Sequence, residues 1–344
     1  MKPNIISGIE SIGRDRWENF LADHPHRTIF QSPEMYDLYK EAPNFGPLVF
    51  AIEGDDKEIK AVLLAVNIKD YKGIIGDLTV RTVIYGGPLI SAHVEDPKEY
   101  ADRLLRHLIE AVERRSLYIQ FRNSHDMSLL YPAFQKHRFM AEDHLNLVVE
   151  TSDPEITHSG ISKSKIRQAK TSLASGAELV AASNEDEIRH FYLILEKLYT
   201  DKAKKPLPKI SFFLTFFRAM QKGKLGIILL AKYQGIVIGG MVCPITPGKA
   251  LNEWYICGLD KMNPKIHPSV LLTYGAIEYA ISNRIPQFDF MGIGSPGKPY
   301  GVREFKTKFG GQSVNFGRFM RISNPYLYRI ASNVYSALLY FHII

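Results

Sequence analysis

Residues 47–53 (PLVFAIE) lead through a turn at residues 54–56 (GDD) into residues 59–66 (IKAVLLAV), and this pattern decides the fold. It recurs about 170–180 residues later, where residues 226–231 lead through a second glycine-containing turn into residues 236–244. Apolar, β-branched runs on both sides of a short polar turn are typical of β-hairpins. We therefore predict one hairpin in each half of the chain.

The same order of elements follows each hairpin: a strand ending near glycine, an amphipathic helix, a short strand, a second helix and a long final strand. We place these elements at residues 83–88, 97–115, 118–121, 130–136 and 139–150 in the first copy, and 253–258, 269–283, 287–290, 302–308 and 312–321 in the second. Antiparallel pairs come first, and a right-handed crossover helix then returns the chain to a parallel neighbour. The order predicts an α/β (α+β) fold, a tandem duplication of an acetyltransferase-like (GNAT-like) domain whose mixed β-sheet is flanked by helices. Coincidence between two α/β domains is the alternative.

The length of 344 residues also favours two domains over a single core. Residues 151–160 (TSDPEITHSG) are polar and contain proline and glycine, as a domain boundary does. We predict a first domain over residues 1–151, joined by a C-terminal helix at 322–344, and a second domain over residues 152–321.

Composition indicates a folded, basic protein. Hydrophobic residues make up 45% and charged residues 23%, and the net charge is +7. This charge favours anionic partners such as phosphates, tRNA or an acidic membrane surface, although many basic proteins bind no nucleic acid. The chain has two cysteines, an N-terminus without the apolar core of a signal peptide, and no run of about 18 apolar residues. We expect a cytoplasmic protein, with contact to the inner face of the membrane through the aromatic C-terminal tail as an alternative.

Four segments resemble motifs of one enzyme family. They are residues 29–36 (IFQSPEMY), 165–170 (KIRQAK), 288–292 (FDFMG) and 301–311 (GVREFKTKFGG). In this order and spacing, over essentially the whole chain, the sequence resembles the FemABX family of peptidoglycan-bridge enzymes. The resemblance implies transfer of an aminoacyl group from aminoacyl-tRNA to an amino group of a nucleotide- or lipid-linked cell-wall precursor, without a metal.

The sequence departs from that family at two positions in the first half. Gly86 stands where the aminoacyltransferases often carry arginine, and Tyr39 aligns with the phosphate-binding lysine of the family's entry helix. These departures favour a neighbouring branch whose donor is an acyl thioester.

Three residues are candidate catalytic groups, because acyl transfer needs a stabilised oxyanion and an amine that loses its proton. Lys306 matches the family's lysine and would contact the oxyanion; its alternative is a solvated helix lysine. Asp289 lies between Phe288 and Phe290 on a strand, where burial would raise its pKa and let it accept the proton. A purely structural pairing is its alternative. Tyr300 could donate its hydroxyl to the oxyanion or leaving group, or be a rim aromatic.

Several further residues are candidates for binding the substrates. Positive charges could meet phosphates, although charge runs are usually solvated faces, and Tyr255 could donate its hydroxyl to the oxyanion or leaving group, or be a core or rim aromatic. These candidates are Arg303, Lys165, Arg167, Lys202, Lys204 and Tyr255.

Several catalytic motifs are missing from the sequence. It has no H-E-x-x-H pair or Cys/His cluster for a metal, no Walker loop and no G-x-S-x-G elbow. We therefore expect direct transfer in a ternary complex, with no metal and no tightly bound cofactor, and with aminoacyl-tRNA or an acyl thioester (acyl-CoA or acyl-ACP) as donor.

The leading interpretation is a Fem-type transferase that moves an acyl or aminoacyl group onto an amino group of a peptidoglycan precursor. An acyl-CoA or acyl-ACP dependent N-acyltransferase outside the cell wall is the second. The third is a non-catalytic GNAT-like scaffold that binds tRNA or a precursor.

Overall fold

The computed structural model describes residues 4–70, 73, 76, 79–203 and 206–340. It divides into two compact units: unit 1 comprises Met1–Asp143 with Phe316–Ile344, and unit 2 comprises His144–Asn315. Each unit contains a mixed β-sheet with helices, so the predicted duplication of an α/β domain is confirmed. In the described part of the chain, no helix is both long and apolar enough to cross a bilayer.

The sheet of unit 1 has eight strands among the described residues, in the order β1-β2-β3-β4-β6-β16-β7 with β5 beside β3. These strands are β1 (Asn4–Ser7), β2 (Phe45–Glu53), β3 (Ile59–Ile68), β4 (Arg81–Tyr85), β5 (Leu89–Ile90), β6 (Tyr118–Arg122), β7 (Met140–Glu142) and β16 (Arg318–Ile322). The predicted hairpin is β2–β3, and β4 pairs with β6 in parallel.

The helices of unit 1 are α1 (Ile9–Ile12), α2 (Arg14–Ala22), α3 (Pro33–Glu41), α4 (Pro97–Val112), α5 (Tyr131–Lys136) and α12 (Pro325–Tyr340). The crossover helix between β4 and β6 is α4, which starts at Pro97 after an Asp96 side chain that accepts the Lys98 amide. Its apolar residues recur every three or four positions, and the buried face packs in one core with Ile119 and Phe121 of β6.

The sheet of unit 2 repeats this plan with eight described strands, in the order β15-β8-β14-β12-β11-β10-β9 with β13 beside β11. These strands are β8 (Leu145–Glu150), β9 (Ala177–Ala181), β10 (Gly226–Tyr233), β11 (Ile236–Thr246), β12 (Ala250–Asn252), β13 (Tyr255–Gly258), β14 (Gln287–Gly292) and β15 (Gln312–Asn315). The predicted hairpin is β10–β11, and β12 pairs with β14 in parallel.

The helices of unit 2 are α6 (Pro154–Gly160), α7 (Lys163–Ala174), α8 (Glu185–Leu198), α9 (Ile210–Gln221), α10 (Pro268–Ser282) and α11 (Gly301–Lys306). The crossover helix α10 is buried on most of its circumference and packs in the core with Phe288 and Phe290 of β14. This packing fixes β14, and therefore the position of Asp289 between the two rings.

Each sheet takes one strand from the opposite half of the sequence. Strand β8 follows the elements of unit 1 but pairs with β14 and β15 of unit 2, and β16 pairs with β6 and β7 of unit 1. The predicted domains 1–151 and 152–321 place both strands with their sequence neighbours, so the structure differs from the prediction here. Alternation along a strand indicates which faces are buried but not which strand will be its partner.

Candidate functional site in unit 2

The parallel strands β12 and β14 bring two carboxylates together where their pairing ends. Asn252 lies opposite Asp289 in the register, and the amide of the next residue, Glu253, donates to the Asp289 carbonyl at 2.9 Å. Such ends are where open α/β sheets commonly hold ligands, because the chain leaves the sheet there. The backbone thus places Glu253 and Asp289 side by side.

Lys306 completes this cluster from α11. Its Nζ lies 2.9 Å from Glu253 Oε1 and also donates to the carbonyls of Phe290 at 2.8 Å and Gly292 at 3.3 Å. The side chains of Lys306 and Glu253 are only 10% and 2% exposed, so the ion pair is shielded from solvent. An ammonium has three N–H donors, and all three are engaged.

The second carboxylate oxygen of Glu253 has no hydrogen-bond partner among the described residues, although it is buried. A buried acceptor left unpaired costs about 1–3 kcal/mol. This oxygen is therefore the place in the cluster with capacity for a donor from a bound substrate.

Within this cluster, Asp289 is the group whose pKa lies near neutrality. Burial raises the pKa of Asp289 to about 6; the Met291 amide, which donates to Oδ1 at 2.6 Å, and the charge of Lys306 act against this rise, and Glu253 adds to it. Met291 adopts a left-handed φ of 56°, at the point where the register of β14 shifts. Backbone strain of this kind persists where the surroundings hold it, and it is frequent at functional sites.

Arg303 and Tyr300 hold the loop between β14 and α11. Arg303 donates Nε to the Ile293 carbonyl at 3.0 Å, Nη1 to the Lys298 carbonyl at 3.1 Å, and Nη2 to the Ser295 carbonyl. The Tyr300 ring lies over Gly294, where an added Cβ would come within 3.0 Å of it. The structure thus commits the Arg303 guanidinium to loop carbonyls, and substrate binding by this residue stays a prediction.

The predicted basic residues of α7 differ in exposure. Lys165 is buried, with Nζ 4.4 Å from the centroid of the Phe305 ring and 3.2 Å from Gln168 Oε1. Burial, together with the charge of Lys308, lowers the pKa of Lys165. Arg167 is exposed and lines a shallow surface depression of about 460 Å³ with Lys163, Ile166, Lys170, Thr171 and Ala174.

The remaining predicted residues fall elsewhere. Tyr255 belongs to a group of aromatic rings, with its centroid 5.2 Å from those of Phe213 and Trp254. Lys204 lies outside the described residues, as does the side chain of Lys202. Lys306 and Asp289 are therefore the two predicted site residues that the structure brings into one cluster.

Sequence reasoning missed Glu253, the partner of Lys306. Its signal was a single acidic residue directly after the short strand β12, within the run Asn252-Glu253-Trp254-Tyr255. A carboxylate in such a run is buried at a cost unless it is paired, and this property indicates a site.

Unit 1 carries a different polar group at the corresponding strand ends. Tyr85 of β4 lies opposite Arg122 of β6, and Arg122 Nη1 donates to the Tyr85 hydroxyl at 2.6 Å. The Tyr39 hydroxyl is buried and has no hydrogen-bond partner among the described residues; burial, with a contribution from Tyr85, raises its pKa well above the usual value. Arg318 of β16 is the register partner of Arg122, and burial and the Arg122 charge lower its pKa to about 10.

In the part of the chain that the structure describes, no group of three or more His, Cys, Asp or Glu side chains could hold a metal ion. The polar clusters at the strand ends instead offer hydrogen-bond donors, acceptors and one titrating carboxylate. Their chemistry is that of proton transfer and electrostatic stabilisation.

Comparison with solved structures supports the tandem fold. The chain is similar to FemX, with a TM-score of 0.69 and 13% identity over 95% of this chain and 99% of that one. It is also similar to a tandem GNAT protein from the clavulanic acid biosynthesis pathway (TM-score 0.59, 10% identity, 94% and 99% covered) and to L-PGS from Bacillus licheniformis (TM-score 0.55, 12% identity, 94% and 95% covered).

A family model matches most of unit 2. Residues 162–307, which include Glu253, Asp289 and Lys306, match the acetyltransferase (GNAT) domain family. No curated protein matches the chain significantly. The predicted tandem fold is confirmed: the chain has a tandem GNAT fold like that of FemX, and residues 162–307 match the acetyltransferase (GNAT) domain family.

Proposed function

We propose that the protein transfers an acyl or aminoacyl group to an amino group of a cell-envelope precursor, and that unit 2 performs the chemistry. The cluster of buried Lys306 and Glu253 with half-buried Asp289, where the pairing of β12 and β14 ends, carries this proposal. It combines a carboxylate that titrates near neutrality with a fixed ammonium, inside a domain of the acetyltransferase family.

In the proposed reaction the acceptor nitrogen attacks the carbonyl carbon of the donor. A C–N bond forms, the C–O bond of an aminoacyl ester or the C–S bond of a thioester breaks, and the electron pair leaves with the oxygen or sulfur. Asp289, ionised above pH about 6, accepts the proton that the amine loses, and this proton then passes to the leaving group. The step balances without another reactant, and it uses no covalent enzyme intermediate.

Lys306 supplies the positive charge in this scheme. Its contact with the Gly292 carbonyl is the longest of the three, at 3.3 Å, so this donor is the one that would turn to the developing oxyanion. Glu253 keeps the ammonium in place, and its second oxygen would accept a hydrogen bond from the incoming amine. Arg303 and Tyr300 would support the same loop.

The precursor would be linked to a nucleotide or a lipid through phosphates. Support comes from the Arg122 guanidinium of unit 1, which meets no carboxylate within ion-pair distance among the described residues, and from the overall positive charge. Arg167 and Lys163 on α7 offer a second basic surface for the donor, whether tRNA or coenzyme A.

Two donor classes follow from the sequence and the comparisons. Likeness to FemX and to L-PGS, with the FemABX motifs, favours aminoacyl-tRNA. A specific observation favours a thioester: Gly86, in place of the family's arginine, has a left-handed φ of 67°, and an added Cβ would lie 2.7 Å from Ser124 Oγ. The side chains of Ser124 and Thr28 thus occupy the space that the Cβ of an arginine would need.

The test is formation of an amide by the purified protein from either labelled aminoacyl-tRNA or labelled acyl-CoA, with an amine acceptor from the peptidoglycan precursor pathway. Mass spectrometry of the product identifies the bond, and ligands that copurify identify the donor. We expect product with one donor class. Absence of amide with both donors, in a sample that binds an acceptor or tRNA, would favour the non-catalytic scaffold.

A further inference from the structure

The C-terminal helix α12 presents an apolar face that none of the described residues of unit 1 covers. Tyr328 points inward, where its ring contacts that of Tyr118 edge-on at 6.0 Å. On another side of the helix Tyr326, Leu327 and Ile330 are 84%, 37% and 60% exposed. Three large apolar side chains within about one helical turn are a cluster rather than a scattered set.

The helix itself carries charge of one sign. Residues 325–340 contain one arginine, Arg329, and no lysine, aspartate or glutamate. Arg329 is exposed on α12 itself, and no ion pair to it occurs among the described residues. An apolar stripe with tyrosine and a neighbouring arginine has the composition of helices that lie in the plane of a membrane interface.

We propose that α12 is an interfacial helix that docks unit 1 on an anionic lipid bilayer. Tyr326, Leu327 and Ile330 enter the boundary between headgroups and acyl chains, while Arg329 stays at the level of the lipid phosphates. We place the helix on the bilayer surface, because none of the helices in the described part of the chain is long and apolar enough to cross a bilayer. We favour a bilayer over a second copy of the chain as the partner of this face, because two copies of the face would bring two Arg329 side chains together.

The proposal is independent of catalysis, and its test is binding of the full chain to vesicles. Wild-type protein is sedimented with vesicles of phosphatidylglycerol and phosphatidylcholine, and with phosphatidylcholine alone. We expect binding that prefers the anionic vesicles and weakens with salt. The triple variant Tyr326→Ser, Leu327→Ser, Ile330→Ser should lose about tenfold or more in affinity. The variant Arg329→Gln should lose about fivefold on anionic vesicles only.

A matched control replaces three equally exposed apolar residues of unit 2, in the triple variant Ile156→Ser, Leu193→Ser, Ile236→Ser. It should bind as wild type does, and circular dichroism checks that all variants are folded. Tyr326→Trp, which retains an interfacial aromatic, should bind at least as tightly as wild type. Equal binding of wild type and the α12 triple variant overturns the proposal, as does a wild-type dimer that this variant converts to monomer.

Discussion

The two parallel strand pairs of this molecule end in opposite chemistry. In unit 2, β12 and β14 lead to Glu253 and Asp289, with the ammonium of Lys306 between carboxylate and carbonyl groups. In unit 1, β4 and β6 end at Tyr85 and Arg122, and no ion pair to this arginine occurs among the described residues. The same backbone plan therefore carries a proton acceptor in one copy and a cationic, hydroxyl-rich group in the other.

This difference teaches how a duplicated fold divides its tasks. A carboxylate whose pKa lies near 6 is suited to proton transfer, while an arginine bonded to a tyrosine hydroxyl is suited to recognition of an anion. Fold similarity alone would assign both copies the same role, although function depends on the side chains at the strand ends. Each prediction below changes one side of this comparison.

The largest effect is expected from Lys306→Met in unit 2. Removal of the ammonium leaves the Glu253 carboxylate buried without its partner, which should lower the free energy of unfolding by about 3–5 kcal/mol. Loss of charge stabilisation should lower kcat by about 10²–10³-fold. Urea unfolding gives the first quantity, and amide formation at a temperature where the variant is folded gives the second.

Lys308→Met is the matched control, because Lys308 is exposed and lies two residues away. It should leave stability and kcat nearly unchanged. If Lys306→Met retained activity within about twofold, the electrostatic role would be refuted, and the ion pair would be purely structural.

The next largest effect is expected from Asp289→Asn. The amide oxygen can still accept the Met291 N–H, so the fold is retained, but no proton can be taken up, and kcat should fall about 100-fold. For wild type, kcat should rise with pH through about 6 and then level off, as Asp289 ionises. A wild-type profile with no limb near pH 6, or the same limb in the variant, contradicts the assignment.

Stability against pH reports the same group without any substrate. The folded-state pKa of Asp289, about 6, lies above the unfolded value of about 3.9, so folding favours the protonated form. Its stabilising contribution is complete below pH about 4 and is lost as the pH rises through about 6. Between these limits wild type should lose about 3 kcal/mol relative to Asp289→Asn.

Much of the fold could be predicted from the sequence, because its signals are local. The hairpins, the crossover helices α4 and α10 and the position of Asp289 between two buried rings follow from hydrophobic periodicity. The exchange of β8 and β16 could not be predicted, since a strand's partner is chosen by contacts distant in sequence.

The candidate site could be predicted only in part. The family motif pointed to Lys306, but its ion pair with Glu253 spans 53 positions and leaves no local pattern. Likewise, Tyr39 lies on helix α3 and Arg122 on strand β6. Their electrostatic interaction arises only when the unit is folded. Arg303 was predicted to bind substrate because it faces the same side of the helix as Lys306. In the structure its guanidinium donates hydrogen bonds to three carbonyls of the loop 293–298.

A smaller effect is expected in unit 1 from Arg122→Gln. The variant loses the charge and the bond to the Tyr85 hydroxyl, so the KM for a phosphate-bearing acceptor should rise about tenfold while kcat stays within about twofold. Steady-state kinetics with the acceptor varied separates the two constants. Arg114→Gln, at an exposed position of the same unit, should change neither. An unchanged KM for Arg122→Gln would mean that this strand end does not bind the acceptor.

The smallest effect is expected from Tyr39→Phe, and its sign is informative. The buried Tyr39 hydroxyl lacks a hydrogen-bond partner among the described residues, so its removal should raise the free energy of unfolding by about 1 kcal/mol or leave it unchanged. If the hydroxyl serves an anion, the same variant should bind the acceptor a few-fold more weakly. Urea unfolding and acceptor KM, measured on one sample, test both halves. A less stable variant with unchanged KM would show that the hydroxyl is a packing element, and the contrast between the two strand ends would then depend on Arg122 alone.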